Sequence, residues 1–252
     1  MDLGLRDAVV LVTGGVRGVG LGISDVLRGL GATVVTCARR APEEPVEGFL
    51  ECDIRDPEQV ERLVATVVDR HGRLDVLVNN AGGSPSALAA GASPRFHAKI
   101  VELNLLAPLL VSQAANVVMQ AQPGGGAIVM ISSVSGHRAS PGTAAYGAAK
   151  AGLDNLTASL AVEWAPKVRV NSLAVGMVRT GQADVHYGDE SAIAAVGRTV
   201  PLGRLGEPDE IGNCVAFLAS PLASYVSGAT LAVHGGGETP AFLSAANVGE
   251  VQ

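Results

Sequence analysis

The stretch Thr13-Gly14-Gly15-Val16-Arg17-Gly18-Val19-Gly20 follows an apolar run at residues 8–12 and precedes a helical pattern that reaches Leu30. Strand, glycine turn and helix in this order are the context in which such a turn binds a nucleotide. The glycines let the backbone turn sharply and approach a pyrophosphate, whose charge is met by the amides at the helix N-terminus. The stretch therefore predicts the first βα unit of a dinucleotide-binding domain.

Short apolar runs rich in β-branched residues recur along the whole chain, and helical patterns separate most of them. Runs without polar alternation indicate strands buried on both faces, which is typical of a parallel sheet with helical crossovers. We expect one α/β domain over residues 1–252, a Rossmann-type doubly wound parallel sheet of about seven strands flanked by helices. The runs are residues 8–12, 33–37, 49–52, 76–78, 127–131, 168–173 and 230–233.

Composition limits the partners of the chain. Its 252 residues are 48% hydrophobic and carry a net charge of −6, with a pI near 5.4. These values argue against a nucleic-acid or anionic-membrane surface and favour small-molecule partners. No uninterrupted apolar run of about 18 residues is present, so no membrane span is expected.

The three cysteines, Cys37, Cys52 and Cys214, have neither close pairing nor metal-ligand spacing. We expect free, packed thiols in a reducing compartment and no metal site. The charged N-terminus runs directly into the first predicted strand and leaves no room for a signal peptide. The sequence therefore predicts a cytoplasmic protein.

Tyr146 and Lys150 stand four residues apart at the head of a long apolar helical pattern, and Ser133 precedes them in a Gly- and Ser-rich turn. Residues i and i+4 share a helix face, so the Lys150 ammonium can lie near the Tyr146 phenol and lower its pKa from about 10. Such a phenol can exchange a proton near neutral pH. Chance alone would give one such pair in roughly 4% of chains of this composition. The trio indicates carbonyl/alcohol redox chemistry without deciding it.

Two more motifs fall between the glycine turn and Ser133, namely Asn79-Asn80-Ala81-Gly82 and Asn104. With these five motifs in this order, the chain resembles the short-chain dehydrogenase/reductase family over residues from about 5 to 237, in particular the branch of 3-oxoacyl-thioester reductases. The resemblance implies an enzyme that interconverts a ketone and a secondary alcohol by hydride transfer with NAD(P). In a doubly wound sheet the ligand site lies at the carboxyl ends of the strands, so we expect the active site there.

The resemblance carries four catalytic roles onto this chain. Tyr146 donates a proton to the carbonyl oxygen in reduction, or removes it from the alcohol in oxidation, and Ser133 hydrogen-bonds the same oxygen. Lys150 lowers the Tyr146 pKa and holds the nicotinamide ribose. Asn104 kinks its helix and holds a water that relays protons to Lys150.

Cofactor contacts follow from the same resemblance. Asp53 would meet the adenine amino group with Ile54 beside the ring, a solvated turn carboxylate being the alternative. Residues 79–82 would line the adenosine ribose and support the sheet, and residues 175–180 would face the nicotinamide, although Val175 replaces the usual proline. The expected contacts are Gly14, Val16, Arg17, Gly18, Val19, Gly20, Arg39, Asp53, Ile54, Asn80, Ala81, Gly82, Tyr146, Lys150, Gly176, Val178 and Thr180.

The end of the second strand decides between the two dinucleotides. A carboxylate there would grip the ribose 2′-hydroxyl of NAD and repel a 2′-phosphate. This chain has Ala38 at that position, followed by Arg39, while Arg17 lies inside the glycine turn. Two guanidinium groups could converge on a phosphate monoester. The sequence predicts NADP(H) in preference to NAD(H), with Arg40 facing solvent.

The sequence of the segments that would contact the substrate does not identify it. A predicted lid spans residues from about 180 to 206, and its apolar face favours a lipid-derived, steroid-like or acyl-thioester substrate over a free sugar. His137 and Arg138 either meet a polar group or form a solvated loop pair. The sequence predicts no role for the C-terminal tail, residues 238–252.

The helical pattern from residue 144 to 164 is apolar on nearly every face, as is the pattern from 104 to 119. A helix that is apolar all round must be covered all round, so we expect a homo-oligomer, a tetramer or a dimer. A monomer whose own C-terminal segment covers the helix is the alternative. For function, the alternative is a non-catalytic NADP-binding sensor or scaffold of the same fold, which would be expected to have lost Tyr146 or Lys150.

Overall fold

The computed structural model describes residues 3–181 and 183–242. Within them seven parallel strands form one sheet in the order β3-β2-β1-β4-β5-β6-β7. The predicted Rossmann-type doubly wound parallel sheet is therefore confirmed. The strands are β1 (Val9–Thr13), β2 (Thr33–Ala38), β3 (Phe49–Glu51), β4 (Val76–Asn79), β5 (Gly126–Ser133), β6 (Val168–Val175) and β7 (Thr230–Val233).

Several strands continue past the end of their apolar run. Thr13 pairs with Cys37, Asn79 with Met130, and Ser133 with Val175. The sequence pattern stops where apolar side chains stop, whereas the backbone ladder needs only N–H and C=O groups. The extra residues are polar and lie at the carboxyl edge of the sheet.

Helices cover both faces of the sheet. Val9 and Leu11 of β1 enter one hydrophobic core, and Val10 and Val12 enter the other. The first core packs under α2, α4 and α5, and the second under α1 and α8. The helices are α1 (Gly18–Gly29), α2 (Pro57–His71), α3 (Pro94–Val101), α4 (Ala107–Ala121), α5 (Ala144–Glu163), α6 (Ala183–Tyr187), α7 (Glu190–Gly197) and α8 (Pro208–Ala219).

A π-helical segment, Glu102–Leu106, joins α3 to α4, so that Pro94–Ala121 is one long helix. By length and composition this helix alone among the described residues could cross a membrane. Its Val111, Ala115 and Met119 are fully buried in the core under the sheet. Core helices of this kind meet the same criteria, and the segment is part of the fold.

The predicted lid contains α6 and α7, whose Ala183 and Ile193 pack with Leu205 in a small cluster separate from the two cores. Gln182 lies outside the described residues. Of the predicted tail 238–252, residues 243–252 also lie outside them.

Candidate active site

The predicted site residues gather at the carboxyl edge of the sheet. The strand order departs in opposite directions from β1 and β4, and such a switch point opens a crevice for ligands beyond the strand ends. Thr13 ends β1, Asn79 ends β4, Ser133 ends β5 and Val175 ends β6. The sheet therefore brings four segments that are distant in sequence to one crevice.

The glycine turn is shaped for close approach. Gly14 has φ +65° and Gly18 has φ +54°, conformations that residues with a Cβ rarely adopt. A Cβ on Gly20 would overlap the Gly14 carbonyl oxygen. Ser24 Oγ lies 2.9 Å from the carbonyl oxygens of both Gly15 and Gly20 and fixes the turn from below.

The N-terminus of α1 opens from this turn without a side-chain cap or an acidic residue in its first turn. The first N–H groups of a helix need an acceptor, and the helix dipole favours an anion there. Val16, Arg17 and Val19 surround these amides and are at least partly exposed. The glycine turn and these amides together form a glycine cradle that fits the pyrophosphate of a dinucleotide.

Thr13 locks the turn to the loop after β4. Its Oγ1 accepts hydrogen bonds from the main-chain N–H groups of Asn80 and Ala81, each at 3.0 Å. The Asn80 side chain donates in return to the carbonyl oxygens of Thr13, at 2.9 Å, and Gly14, at 3.2 Å. Thr13 is fully buried. Asn80 therefore holds the glycine turn in place through its side chain.

Replacing Thr13 by valine tests this lock. Valine keeps the shape of the side chain but leaves two main-chain N–H groups without their acceptor, so we expect the free energy of unfolding to fall by about 2 kcal/mol. Chemical denaturation measures the change. Thr66→Val is the control, because Thr66 hydrogen-bonds only a carbonyl of its own helix at the surface. Equal stabilities of the two variants would contradict the lock.

Tyr146 and Lys150 occupy the first two turns of α5, facing the end of β5. The Lys150 Nζ atom donates to the Ile131 carbonyl oxygen at 2.7 Å and lies 5.6 Å from the centroid of the Tyr146 ring. Ser133 Oγ accepts from the Ser135 N–H at 3.2 Å. The structure therefore brings the predicted trio together.

Burial changes the proton affinity of both groups. It raises the pKa of Tyr146, while a hydrogen bond with Ser133 acts in the opposite direction. It lowers the pKa of Lys150 to about 8, and the negative charge of Asp154 opposes that fall. The net pKa of Tyr146 thus moves up, opposite to the expected lowering by Lys150, because removal from water penalises the phenolate more than its surroundings stabilise it.

Asn104 lies in the π-helical segment, the irregularity that was expected at this position. Its Oδ1 accepts from the Gly83 N–H at 2.8 Å, and its Nδ2 donates to the carbonyl oxygens of Gly83 and Ile100, both at 2.9 Å. A Cβ on Gly82 would lie 2.6 Å from that Oδ1 and 3.5 Å from Lys150 Nζ. Asn104 thus fixes the loop beside Lys150, and its water-holding role stays a prediction.

The residues predicted to contact the adenosine end of the cofactor differ in their exposure and in their contacts. Arg17 and Arg39 are exposed, and within residues 3–181 and 183–242 neither guanidinium group is found in a hydrogen bond or ion pair. Asp53 is partly exposed and pairs with Arg55, which lowers its pKa. The Ile54 side chain is only 4% exposed and packs in the core.

At the predicted nicotinamide end, Gly176 donates its N–H to the Val233 carbonyl oxygen at 2.9 Å. Val178 forms an isolated bridge with Gly206. The Thr180 Cγ2 atom is 3.6 Å from where a Cβ on Gly18 would be, so this segment closes over the glycine turn.

A cavity of about 400 Å³ lies beside this end, between the loop after β5 and the segment after β7. An ion pair between Arg138 and Glu238, at 2.6 Å, joins those two segments. The His137 side chain is half exposed, and its Nε2 lies 2.9 Å from Asp154 Oδ2. The lining residues are Val134, His137, Arg138, Ala174, Gly176, Met177, Thr230, Ala232, His234, Gly237 and Glu238.

Two polar residues of the site, the fully buried Ser112 and the largely buried Asp154, were not predicted from the sequence. Ser112 accepts from Asn79 Nδ2 at 2.8 Å and anchors the loop after β4 on α4. Asp154 lies one helical turn beyond Lys150. A lone carboxylate at that spacing on an apolar helix was the available signal, whereas nothing in the sequence distinguished Ser112 from other helical serines.

Comparison with known proteins gives consistent matches. A family profile described as enoyl-(acyl carrier protein) reductase matches residues 14–238. A tropinone reductase homologue of Arabidopsis thaliana is 37% identical over 94% of this chain and 93% of its own length. A 3alpha-hydroxysteroid dehydrogenase of Mediterraneibacter gnavus is 37% identical over 93% of this chain and 98% of its own. The ligand-free aldohexose dehydrogenase of Thermoplasma acidophilum superposes with a TM-score of 0.90 at 30% identity, covering 100% of both chains.

The chain therefore belongs to the short-chain dehydrogenase/reductase family. Members of this family are oxidoreductases that act on alcohol and ketone groups with a nicotinamide cofactor. The resemblance seen in the sequence is confirmed at this level.

Proposed function

We propose that the protein interconverts a ketone and a secondary alcohol, with NADPH as the preferred cofactor and an apolar compound as the substrate. The observation that carries the proposal is the grouping of Ser133, Tyr146 and Lys150 at the carboxyl edge of the sheet, beside a glycine cradle with no room for a Cβ at Gly20. A sensor that had lost turnover would have no need for this grouping. We take reduction as the working direction, because cells keep the NADP pool reduced.

The bound nicotinamide supplies or accepts the hydride. The residues of this chain supply the rest. Tyr146 gives its phenolic proton to the developing alkoxide in reduction and removes it from the alcohol in oxidation. Ser133 donates a hydrogen bond to the same oxygen and holds it against Tyr146.

Lys150 provides the positive charge of the site. With a pKa of about 8 the ammonium is mostly protonated at neutral pH, and it lies beside the Tyr146 ring. An opposite charge favours a phenolate, so a protonated Lys150 would stabilise the anion that Tyr146 becomes when it gives up its proton. Its position next to Gly82 suits a hydrogen bond to the nicotinamide ribose.

Arg17 and Arg39 support the preference for NADPH. Both are exposed beside the glycine turn, and Ala38 removes the carboxylate that would repel a 2′-phosphate. Guanidinium groups form strong hydrogen bonds to phosphate oxygens.

Removing either guanidinium tests the preference. We expect Arg17→Ala and Arg39→Ala each to weaken NADPH binding on the order of tenfold, about 1.4 kcal/mol, and to leave NADH binding nearly unchanged. Titration of the reduced-nicotinamide fluorescence measures both affinities. Arg40→Ala is the matched control and should change neither. Equal weakening of both cofactors would contradict a phosphate contact.

The exposed apolar surface of α4 and α5 supports the proposal of a homo-oligomer. Val117 and Val162 are 72% and 80% exposed. Leu109, Leu156 and Trp164 border a groove of about 480 Å³ between the two helices. Apolar patches of this kind mark protein interfaces, and a tetramer or a dimer would cover them. A cytoplasmic location is proposed as well, with three free cysteines in its support.

The test of the proposed function is turnover. Purified protein is titrated with NADPH and NADH, and then the absorbance of reduced nicotinamide is followed with 3-oxoacyl thioesters, ketosteroids, quinones and sugars. Oxidation of NADPH by one of the apolar classes would support the proposal, and turnover with sugars alone would overturn the substrate class. Tight NADPH binding without turnover across all classes would favour the sensor.

A further inference from the structure

Asp154 is a largely buried carboxylate for which the proposed chemistry has no role. It lies on α5 one turn after Lys150, so both side chains share a helix face. The Ser172 hydroxyl on β6 donates to its Oδ1 at 2.6 Å, and its Oδ2 lies 2.9 Å from His137 Nε2. Its side chain is only 12% exposed. A carboxylate withdrawn from water to this extent needs compensating charge or hydrogen bonds.

Lys150 is the matching buried cation, with 3% of its surface exposed. Its Nζ has a neutral acceptor in the Ile131 carbonyl oxygen, and Asp154 is the negative group that acts on it through space. Each charge would be costly to bury alone, and each stabilises the charged form of the other across the shared helix face without a direct ion pair between them.

The remaining titratable groups near α5 are arranged differently. Tyr146 lies near Ser133 and Tyr187, and His137 touches Asp154 rather than Lys150. Asp154 is the charged group that opposes the fall that burial causes in the pKa of Lys150. The other charged groups on the elements packed against α5 are Arg95, His97 and Lys99 on α3, Glu102 on the π-helical segment, Arg138 after β5, Glu163 on α5, Arg169 on β6 and Glu238 after β7.

We propose that Asp154 is a positioning residue whose negative charge, held by Ser172 and covered by His137, keeps Lys150 protonated in the active site. It touches neither substrate nor cofactor in this role and acts only through Lys150.

The fraction of Lys150 that is protonated depends on the negative charge of Asp154, because the Lys150 pKa of about 8 lies close to neutral pH. Removing the negative charge of Asp154 favours the neutral amine, so the pKa of Lys150 falls further and a larger fraction is uncharged at pH 7 to 8. The consequence for turnover rests on the proposed function, whereas the coupling between the two charges does not.

The test measures the protonation of Lys150 directly. The chain has three lysines, Lys99, Lys150 and Lys167, so labelling with 13Cε-lysine gives three NMR signals. Lys99→Arg and Lys167→Arg assign them by elimination. In Asp154→Asn we expect the pKa of Lys150 to fall by about one unit from that of the unmodified protein.

Ser172→Ala is the matched control. It removes the hydrogen bond to Asp154 and keeps the charge, whereas Asp154→Asn keeps an acceptor for Ser172 and removes the charge. We expect no fall in the Lys150 pKa in Ser172→Ala, and Asp154→Glu should hold it near its original value. An unchanged Lys150 pKa in Asp154→Asn, or an equal fall in Ser172→Ala, would overturn the proposal. If Asp154→Asn does not fold, the smaller neutral variant Asp154→Ser takes its place.

A pH profile of turnover gives the second readout, once a substrate is in hand. In Asp154→Asn we expect kcat to fall at a lower pH than in the unmodified protein, with KM nearly unchanged. Failure of the proposed function would leave the protein without turnover but would not alter the NMR titration. The two failures are therefore distinguishable.

Discussion

Tyr146→Phe should lose turnover on the order of a thousandfold, because general acid–base catalysis by one positioned group contributes about 10² to 10⁴. The substitution removes only the phenolic oxygen. The ring that faces Lys150, 5.6 Å from its Nζ, remains in place. NADPH binding should therefore change by less than about threefold, a difference of well under 1 kcal/mol.

The measurement pairs single-turnover oxidation of NADPH with a fluorescence titration of the same sample. Tyr225→Phe is the control, since Tyr225 is fully exposed and should affect neither quantity. Retention of a tenth or more of the turnover by Tyr146→Phe would remove Tyr146 from the proton transfer. A large loss of NADPH affinity would instead mean that the phenol mainly supports cofactor binding.

Gly20→Ala should disrupt the cradle by adding a single methyl group. That Cβ would overlap the Gly14 carbonyl oxygen and the Asn80 side-chain nitrogen, both of which belong to the lock between the two loops. Backbone atoms cannot rotate away as a flexible side chain can. We expect the free energy of unfolding to fall by about 2 kcal/mol, and NADPH affinity to fall on the order of a hundredfold, about 3 kcal/mol.

Gly29→Ala in the same helix is the matched control. Nothing lies within 4 Å of a Cβ built there. Alanine favours a helix over glycine by roughly 1 kcal/mol, so this variant should bind NADPH normally and be as stable as the unmodified protein or slightly more so. Thermal denaturation and NADPH titration of both variants give the comparison. Normal binding by Gly20→Ala would show that the turn can move and that the cradle is not tightly specified.

Local patterns in the sequence predicted most of the fold. Each buried strand is a short apolar run, and such a run can be recognised without knowing its neighbours. The ends of strands were harder to predict, because Thr13, Asn79 and Ser133 extend the ladder with polar side chains. Their pairing depends on the adjacent strand and not on their own residue type.

Motif spacing likewise placed the catalytic trio, since residues i and i+4 share a helix face in any helix. The direction of the net Tyr146 pKa shift was not predictable in this way. Burial, which raises that pKa, depends on everything that packs around the ring. The pairing of Asp53 with Arg55 and the burial of Ile54 in the core also became visible only in three dimensions.

The sequence by itself determined the βα order, the parallel sheet, the glycine turn and the family, because each follows from patterns within one or two neighbouring elements. The tertiary structure alone decided which polar groups meet across elements. Thr13 holds the loop after β4, Asn104 holds Gly83, and Asp154 meets Ser172 and His137. These contacts join residues from 17 to 68 positions apart, and no local pattern encodes which of many buried polar side chains the folded chain will bring together.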